Sequence, residues 1–553
     1  MKYTGAEILI KLLERQGIEV IAGIPGGSSL PIYDALGKSK IEHVLTRHEQ
    51  GAGFTAQGMA RATGKAAVCF ATSGPGAVNL LTAIADAKLD SVPVIAITGQ
   101  VPTSLIGTDA FQEIDTFGLM MPITKHNYLV ESAQQLFKII PEAFEIAESG
   151  RPGPVSIDVP KDVQKQVVEF DKWPKPGKKK EPDEIKIEEI KQLAKIINKS
   201  KRPLVFAGGG LNNSGSSEVF NKFVKTNSIP VVSSFMGIGS FPGDEPLYMG
   251  MLGMHGERYT NLILDETDLL LAFGVRFDDR ATGKVSEFCP NARIVHVDID
   301  KSEINKIKKS DFYIEGDIEN VLKKVLPHIE KKSRNDWIVH IKDIMKKNPP
   351  IKINKKDLLN PANILRAINK INEPENVIVT DVGQHQMWVA QYYCFKKSRT
   401  LLSSGGLGTM GFGLPTAIGA ALADKNKRVV CISGDGSIQM NIQEFATLAD
   451  QNLNVIVVIM NNNCLGMVRQ HQELFFGKKY FATKFITNPD LTAIAKGFGI
   501  KGYRVRKSSE LMPALKKAFE KQGPCIIEVK IKKEENVLPM VTPGASNSIM
   551  INE

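Results

Sequence analysis

At 553 residues the chain is too long for one hydrophobic core, and about three domains is the natural division. Apolar residues at 42% and charged residues at 24% exclude a disordered, fibrous or membrane-embedded class and leave a globular one. The net charge of +10 comes mainly from lysines in Pro-containing stretches such as 175–184 and 346–356; with no basic stripe interleaved with aromatics it argues against nucleic-acid binding and for a solvated surface mildly attractive to anions.

The first seventeen residues, MKYTGAEILIKLLERQG, read as an amphipathic helix rather than a signal peptide. No apolar run reaches membrane-spanning length, so a cytoplasmic protein without membrane partners is expected. Six scattered cysteines with no C-x-x-C spacing read as free thiols in a reducing compartment. The strand AAVCFAT (66–72) runs into SGPG, a helix NLLTAIADAKL and the strand PVIAIT. The middle of the chain supplies PLVFAGGG (203–210), IPVVSSF (229–235), TDLLLAFG (267–274) and ARIVHVDID (292–300). Near the end, RVVCIS (428–433) runs into GDG, a helix NIQEFATLADQ and the strand NVIVVIM. Near-continuous apolar strands alternating with helices point to parallel sheets covered on both faces. The fold class is therefore α/β: three doubly wound parallel-sheet domains, the first and last alike, at about 1–170, 185–345 and 362–553. Pro- and Lys-rich stretches near 170–184 and 346–361 serve as linkers.

Two places carry candidate chemistry. Asp435 stands between Gly434 and Gly436 where an apolar strand stops. A solvated turn explains that much. However, Asn462 follows 27 residues later, one helix and one strand on, which puts both at the carboxyl ends of strands in one sheet, where ligands bind. A carboxylate, an amide oxygen and a nearby backbone carbonyl are hard ligands that two phosphates and a water would complete to an octahedron around Mg²⁺. The glycines admit a diphosphate, and the following helix N-terminus favours its charge. The second place is Glu49, which opens a Gly- and Ala-rich helix that must pack closely against something; alone, it reads equally well as a surface acid.

The GDG–NN spacing resembles the thiamine-diphosphate-binding motif. RHEQGAGFTAQGMARA, TSGPGA, GQVPTSLIGTDAFQE, SGRPGPV, LGMHG, GVRFDDRATGK, GGLGTMGFGLPTAIGA and GDGSIQMNIQE together resemble the catalytic large subunits of acetohydroxyacid synthase, also called acetolactate synthase, over nearly the whole chain. The resemblance implies decarboxylation of pyruvate on thiamine diphosphate and transfer of the hydroxyethyl unit to a second pyruvate or to 2-oxobutyrate, with Mg²⁺ and FAD as further cofactors. It implies Glu49 as the activating carboxylate, and Asp435, Asn462 and the Cys464 carbonyl as metal ligands. Gly27, Phe111, Gln112, Lys161 and Arg280 fall at substrate positions; singly, Lys161 and Arg280 are surface charges. Thiamine diphosphate contacts are implied for Val382, Gly383, Gln384, His385, Gly408, Met410, Gly434, Gly436, Ser437, Gly466 and Met467, with Met410 bending the cofactor. FAD contacts are implied for Arg151, Gly208, Gly209, Met254, His255, Gly274, Arg276, Asp298 and Asp317, the flavin having no net redox role. The family pattern further implies at least a homodimer, and any small regulatory subunit is expected as a separate protein. One departure stands out. His471 occupies a position where members preferring 2-oxobutyrate carry tryptophan, so weaker discrimination against pyruvate is expected. A related carboligase, decarboxylase or pyruvate oxidase, and a silent subunit that kept the fold, remain open.

Overall fold

The computed structural model describes residues 1–552. Three six-stranded sheets, parallel throughout, form its frame. The first holds Val20–Gly23, Glu42–Leu45, Ala67–Ala71, Val94–Gln100, His126–Leu129 and Val155–Pro160. The third holds Val377–Thr380, Leu401–Leu402, Val429–Gly434, Val455–Asn461, Lys501–Val505 and Cys525–Lys530. Counted in chain order within each sheet, both have the spatial order 2-1-3-4-6-5. The similarity of the two ends, visible in the sequence as pattern, is thus a shared topology. The middle sheet, from Pro203–Ala207 to Phe312–Glu315, has the order 3-2-1-4-5-6. Two antiparallel ribbons depart from the all-parallel expectation: Lys2–Thr4 pairs with Val167–Glu169, and Met540–Val541 with Met550–Ile551.

The strands are buried on both faces, which is why their sequences lack polar alternation. In Val429–Gly434, Val429 and Cys431 face one core and Val430 and Ile432 another. The first of these cores is shared with the N-terminal sheet, whose Ala67, Cys69 and Ala71 belong to it. Helices Glu49–Thr63 and Gly413–Ala423 fill it. Gly58 and Gly419 meet at their crossing: a Cβ on Gly58 would overlap the Thr416 carbonyl, and one on Gly419 the Thr55 carbonyl. This is the close partner that the Gly- and Ala-rich helix requires.

The amphipathic start begins as a strand; helix Gly5–Arg15 follows, opened by a Thr4–Glu7 capping box. In IPVVSSF only Val231–Ser233 is strand, because Ser234 turns to cap the next 3₁₀ turn through the Gly237 N–H. The six cysteines are unpaired, five of them buried. Among the described residues no helix is long and apolar enough to cross a membrane.

Candidate active site

Strands Val429–Gly434 and Val455–Asn461 are neighbours in register, with Gly434 opposite Met460. Their carboxyl ends bring Asp435 and Asn462 together, and the Asn462 N–H donates to Asp435 Oδ1 at 3.3 Å. Both side chains are buried, Asp435 to 1% exposure. Burial pushes the Asp435 carboxyl up to about 6, against the Asn462 N–H and the Asn488 amide that hold it down. The Cys464 N–H donates to Asn462 Oδ1 at 3.1 Å, which fixes that amide oxygen beside the carboxylate. Ser437 Oγ closes the turn by accepting from the Gly434 N–H at 3.1 Å. The expected helix start is displaced. A short 3₁₀ turn, Ile438–Asn441, comes first, and the α-helix covers only Glu444–Asp450.

Among the described residues no three His, Cys, Asp or Glu gather into a metal-ligating group. A cation at Asp435 would therefore lean on one carboxylate, amide and backbone oxygens, and oxygens brought by a ligand. A phosphate-bearing ligand fits: the His385 ring lies against Gly383 and Gly434, and its Nε2 is buried with no partner. Burial lowers this histidine to about 3, so the ring is neutral; in the tautomer protonated on Nε2 it donates to a phosphate without adding charge.

A cavity of about 570 Å³ lies between the C-terminal and middle domains; Gly383, beside the His385 ring, is in its wall, whereas Asp435, Asn462 and His385 are not. Val382, Gly383, Gly408, Met410, Met467 and His471 line one end. Arg280, Met254 and His255 line its middle, the Arg280 Nη1 lying 3.6 Å from Met254 Sδ. Burial, with His471 and Arg280 nearby, lowers His255 to about 4. Arg151, Gly209, Gly274, Arg276, Asp298 and Asp317 line the other end. Gly208 is not in the wall but beneath it: a Cβ there would overlap the Gly274 carbonyl, and Gly210 and Gly274 touch backbone to backbone, Gly274 at φ +60°. This glycine cradle leaves backbone open along the cavity, the form a dinucleotide takes up. Asp300, also at the strand end, points elsewhere and pairs with Arg151 at 3.1 Å.

The loop carrying Gly408 and Met410 is held by the N-terminal domain of the same chain. Asp90 accepts the Gly405 and Gly406 N–H groups at 3.0 and 2.7 Å. Asp86 accepts Ser404 and Thr409 hydroxyls, and Arg61 bridges both acids. On the other side Asp381 accepts the Gly411 N–H at 2.9 Å.

Glu49 opens its helix, with Asn79 donating to Oε2 at 2.9 Å and Gly76 beside Oε1. The helix start is tied to the C-terminal domain: the Arg47 N–H donates to Glu444 at 3.0 Å, and Asn441 to Gln50 at 3.1 Å. Gly27 is exposed with open space before it. Phe111 is 88% exposed. Gln112 sits at φ +61°, its backbone against Gly74, and Lys161 begins the short helix Lys161–Lys165. None of Gly27, Glu49, Phe111, Gln112 and Lys161 lines the cavity. Val382, Gly383, Gly408, Met410 and Met467 thus share one cavity with Arg151, Arg280 and other middle-domain candidates, whereas the metal and diphosphate candidates Asp435, Asn462, Cys464, Gly434, Gly436, Ser437 and Gly466 lie outside its wall, as do the five N-terminal ones. Gln384 turns partly away as well, donating to Gln470 and to the Glu535 carbonyl, with only its Oε1 toward Asn462 at 3.4 Å. Sequence reasoning missed Asp86, Asp90, Asp381, Glu444 and Asn488. Each acts by bonding a loop distant in sequence, for which no local pattern exists.

Three matched regions define the class. The family model of the thiamine pyrophosphate enzyme N-terminal TPP binding domain matches residues 3–119, that of the central domain 190–325, and that of the C-terminal TPP binding domain 381–529. Thiamine pyrophosphate is another name for thiamine diphosphate. Acetolactate synthase isozyme 1 large subunit of Escherichia coli is 49% identical over all of this chain and 98% of its own length. The isozyme 2 large subunit of the same organism is 42% identical over 99% of both chains. A chloroplastic acetolactate synthase of Arabidopsis thaliana is 44% identical over 99% of this chain and 84% of its own. The chain belongs to the thiamine pyrophosphate enzymes and, within them, to the acetolactate synthase large subunits.

Proposed function

We propose that the chain decarboxylates pyruvate and joins the remaining two-carbon unit to the carbonyl of a second 2-oxoacid. With pyruvate as acceptor the product is 2-acetolactate; with 2-oxobutyrate it is 2-aceto-2-hydroxybutyrate, the entry to valine, leucine and isoleucine. The observation that carries the reading is the meeting of Asp435 and Asn462 at two adjacent strand ends, beside a buried histidine nitrogen without a partner.

When bound, thiamine diphosphate supplies the nucleophilic carbon and the electron sink that release carbon dioxide. Asp435, Asn462 and the Cys464 carbonyl would hold Mg²⁺, which is too small and too demanding of geometry to be held loosely. Gly434, Gly436, Ser437, Gly466 and His385 receive the diphosphate. Glu49 would exchange a proton with the bound cofactor's pyrimidine ring, and the Asn79 amide holds its carboxylate in place for that role. Met410, held through Thr409 and Gly411, would be the apolar contact that sets the shape of the bound cofactor. The Gly27 N–H and Gln112 orient the reacting carbonyl, and Phe111 bounds the methyl group of the first substrate. Lys161 and Arg280 draw the anionic substrates in, Arg280 by a fork suited to the acceptor carboxylate. FAD would be held along the glycine cradle by Arg151, Arg276, Asp298 and Asp317, which line that part of the cavity.

Gly27 and Phe111 stand exposed on the N-terminal domain, as a face that a second copy covers would, so the working unit is at least a homodimer. A separate regulatory subunit and a cytoplasmic location belong to this reading. The test is purified protein with thiamine diphosphate, Mg²⁺, FAD and pyruvate. Acetolactate is the expected product, and the absorption spectrum reports the flavin. Acetaldehyde or acetyl phosphate instead would contradict the reading. In the same assay Glu49→Gln is expected to lose activity about a hundredfold or more with unchanged melting temperature. Full activity in that variant would favour a different mechanism.

A further inference from the structure

Asn488 lies in the irregular segment between helices Gly466–Phe475 and Leu491–Gly497. Its Nδ2 donates to Asp435 Oδ2 at 2.7 Å, to Asn463 Oδ1 at 2.9 Å and to Asn461 Oδ1 at 3.3 Å. Its Oδ1 accepts from Gln439 at 3.4 Å. An amide nitrogen has two hydrogens. Asn461 Oδ1 is already supplied by the Asn463 N–H at 3.1 Å, so the hydrogens go to the two nearer acceptors, Asp435 and Asn463. Each Asp435 oxygen then has one donor, Asn488 on Oδ2 and the Asn462 N–H on Oδ1. Two donors on two oxygens fix the rotation of the carboxylate and leave each oxygen a lone pair.

The segment is fastened to the same loop. The Leu465 N–H donates to the Thr483 carbonyl at 2.8 Å, the Phe485 N–H to the Asn463 carbonyl at 3.1 Å, and the Phe485 ring lies over Gly436. The amide is therefore carried by backbone that moves with the loop it supports.

We propose that Asn488 is a positioning residue for the divalent cation: it sets the Asp435 carboxylate at the angle an octahedral ion requires. The inference rests on the reading of Asp435 and Asn462 as ligands. Mg²⁺ demands near-ideal octahedral geometry, whereas Ca²⁺ accepts flexible arrangements. A residue that sets ligand angle therefore matters more to Mg²⁺ than to Ca²⁺. A residue that merely supports the segment matters equally to both.

The experiment titrates Mg²⁺ and Ca²⁺ calorimetrically into full-length protein held with thiamine diphosphate. The variants are Asn488→Ala, Asn488→Gln and Asp435→Asn. Asn488→Ala should weaken Mg²⁺ about 10- to 100-fold and Ca²⁺ distinctly less, so that the preference for Mg²⁺ falls. Asn488→Gln keeps the donors but displaces them by a methylene. It should shift the preference the same way, and it carries the test if the alanine variant does not fold. Equal losses for both ions, or none, overturn the proposal. Cation binding lost in Asp435→Asn but unchanged in Asn488→Ala overturns the proposal alone. Binding unchanged in Asp435→Asn overturns the ligand reading and the proposal with it.

Discussion

His471 shows how one side chain can set selectivity. It lies in the cavity wall on helix Gly466–Phe475, its ring edge-on to Phe475 at 5.7 Å and near the Arg280 charge. Burial and that charge lower its pKa, so the pocket is offered a neutral polar ring. His471→Trp should raise the preference for 2-oxobutyrate over pyruvate about tenfold when the two compete at equal concentration; an unchanged ratio would remove His471 from the acceptor pocket. Asp158 works through protons. It is buried, accepts from Thr98 and Gln100, and burial raises its pKa to about 7. From about pH 4 to pH 7 the folded protein keeps a proton that the unfolded chain releases, so stability falls as pH rises through that window. Asp158→Asn should flatten that fall in melting temperature. A slope unchanged by the substitution would show the carboxyl ionised throughout. Asp435 and Asn462 were legible because a strand, a glycine turn and 27 residues of helix and strand leave them no other place. Asn488, 53 residues from the carboxylate it bonds, was not: its N-P-D context reads only as the turn before a helix capped by Asp490.

At the scale of elements, the crossing of helices Glu49–Thr63 and Gly413–Ala423 joins the N- and C-terminal sheets into one core. It also orients Glu49 at one end of the first helix and the Met410 loop before the second. Gly419→Val would push a branched side chain into the Thr55 carbonyl. It should cost about 1–3 kcal/mol or more, read as a lower melting temperature with wild-type far-ultraviolet dichroism; unchanged melting would mean the helices have room to separate. Helix and strand identities were readable from apolar period, and the Gly and Ala content announced a close neighbour. Which helix that neighbour would be was not readable, because the contact is made across roughly 360 residues (Thr55 to Pro415 is one such bond). The 3₁₀ turn after Gly436 was also hidden. There Gln439 is drawn back to the Asp435 carbonyl at 2.7 Å, which tightens the chain before the α-helix can begin.

For the whole molecule, two sheets of the same topology flank a third of different order, and the halves of the candidate site lie on the first and last. The α/β class and the resemblance of the two ends came from strand–glycine–helix repetition, whereas sheet order rests on crossovers that carry no local signal. In a single chain Glu49 and its neighbours do not line the cavity that holds Met410 and Gly383, and the proposed function takes a second copy to complete the site. The most direct test is complementation. Glu49→Gln and Asp435→Asn chains, each inactive alone, are co-expressed in equal amounts and the randomly assorted dimers are purified together. If one chain supplies Glu49 and the other Asp435, half the sites in a mixed dimer carry neither substitution, and the population should recover about a quarter of wild-type activity. Mixed dimers that stay inactive would mean that both acids of a site come from one chain, contrary to the account.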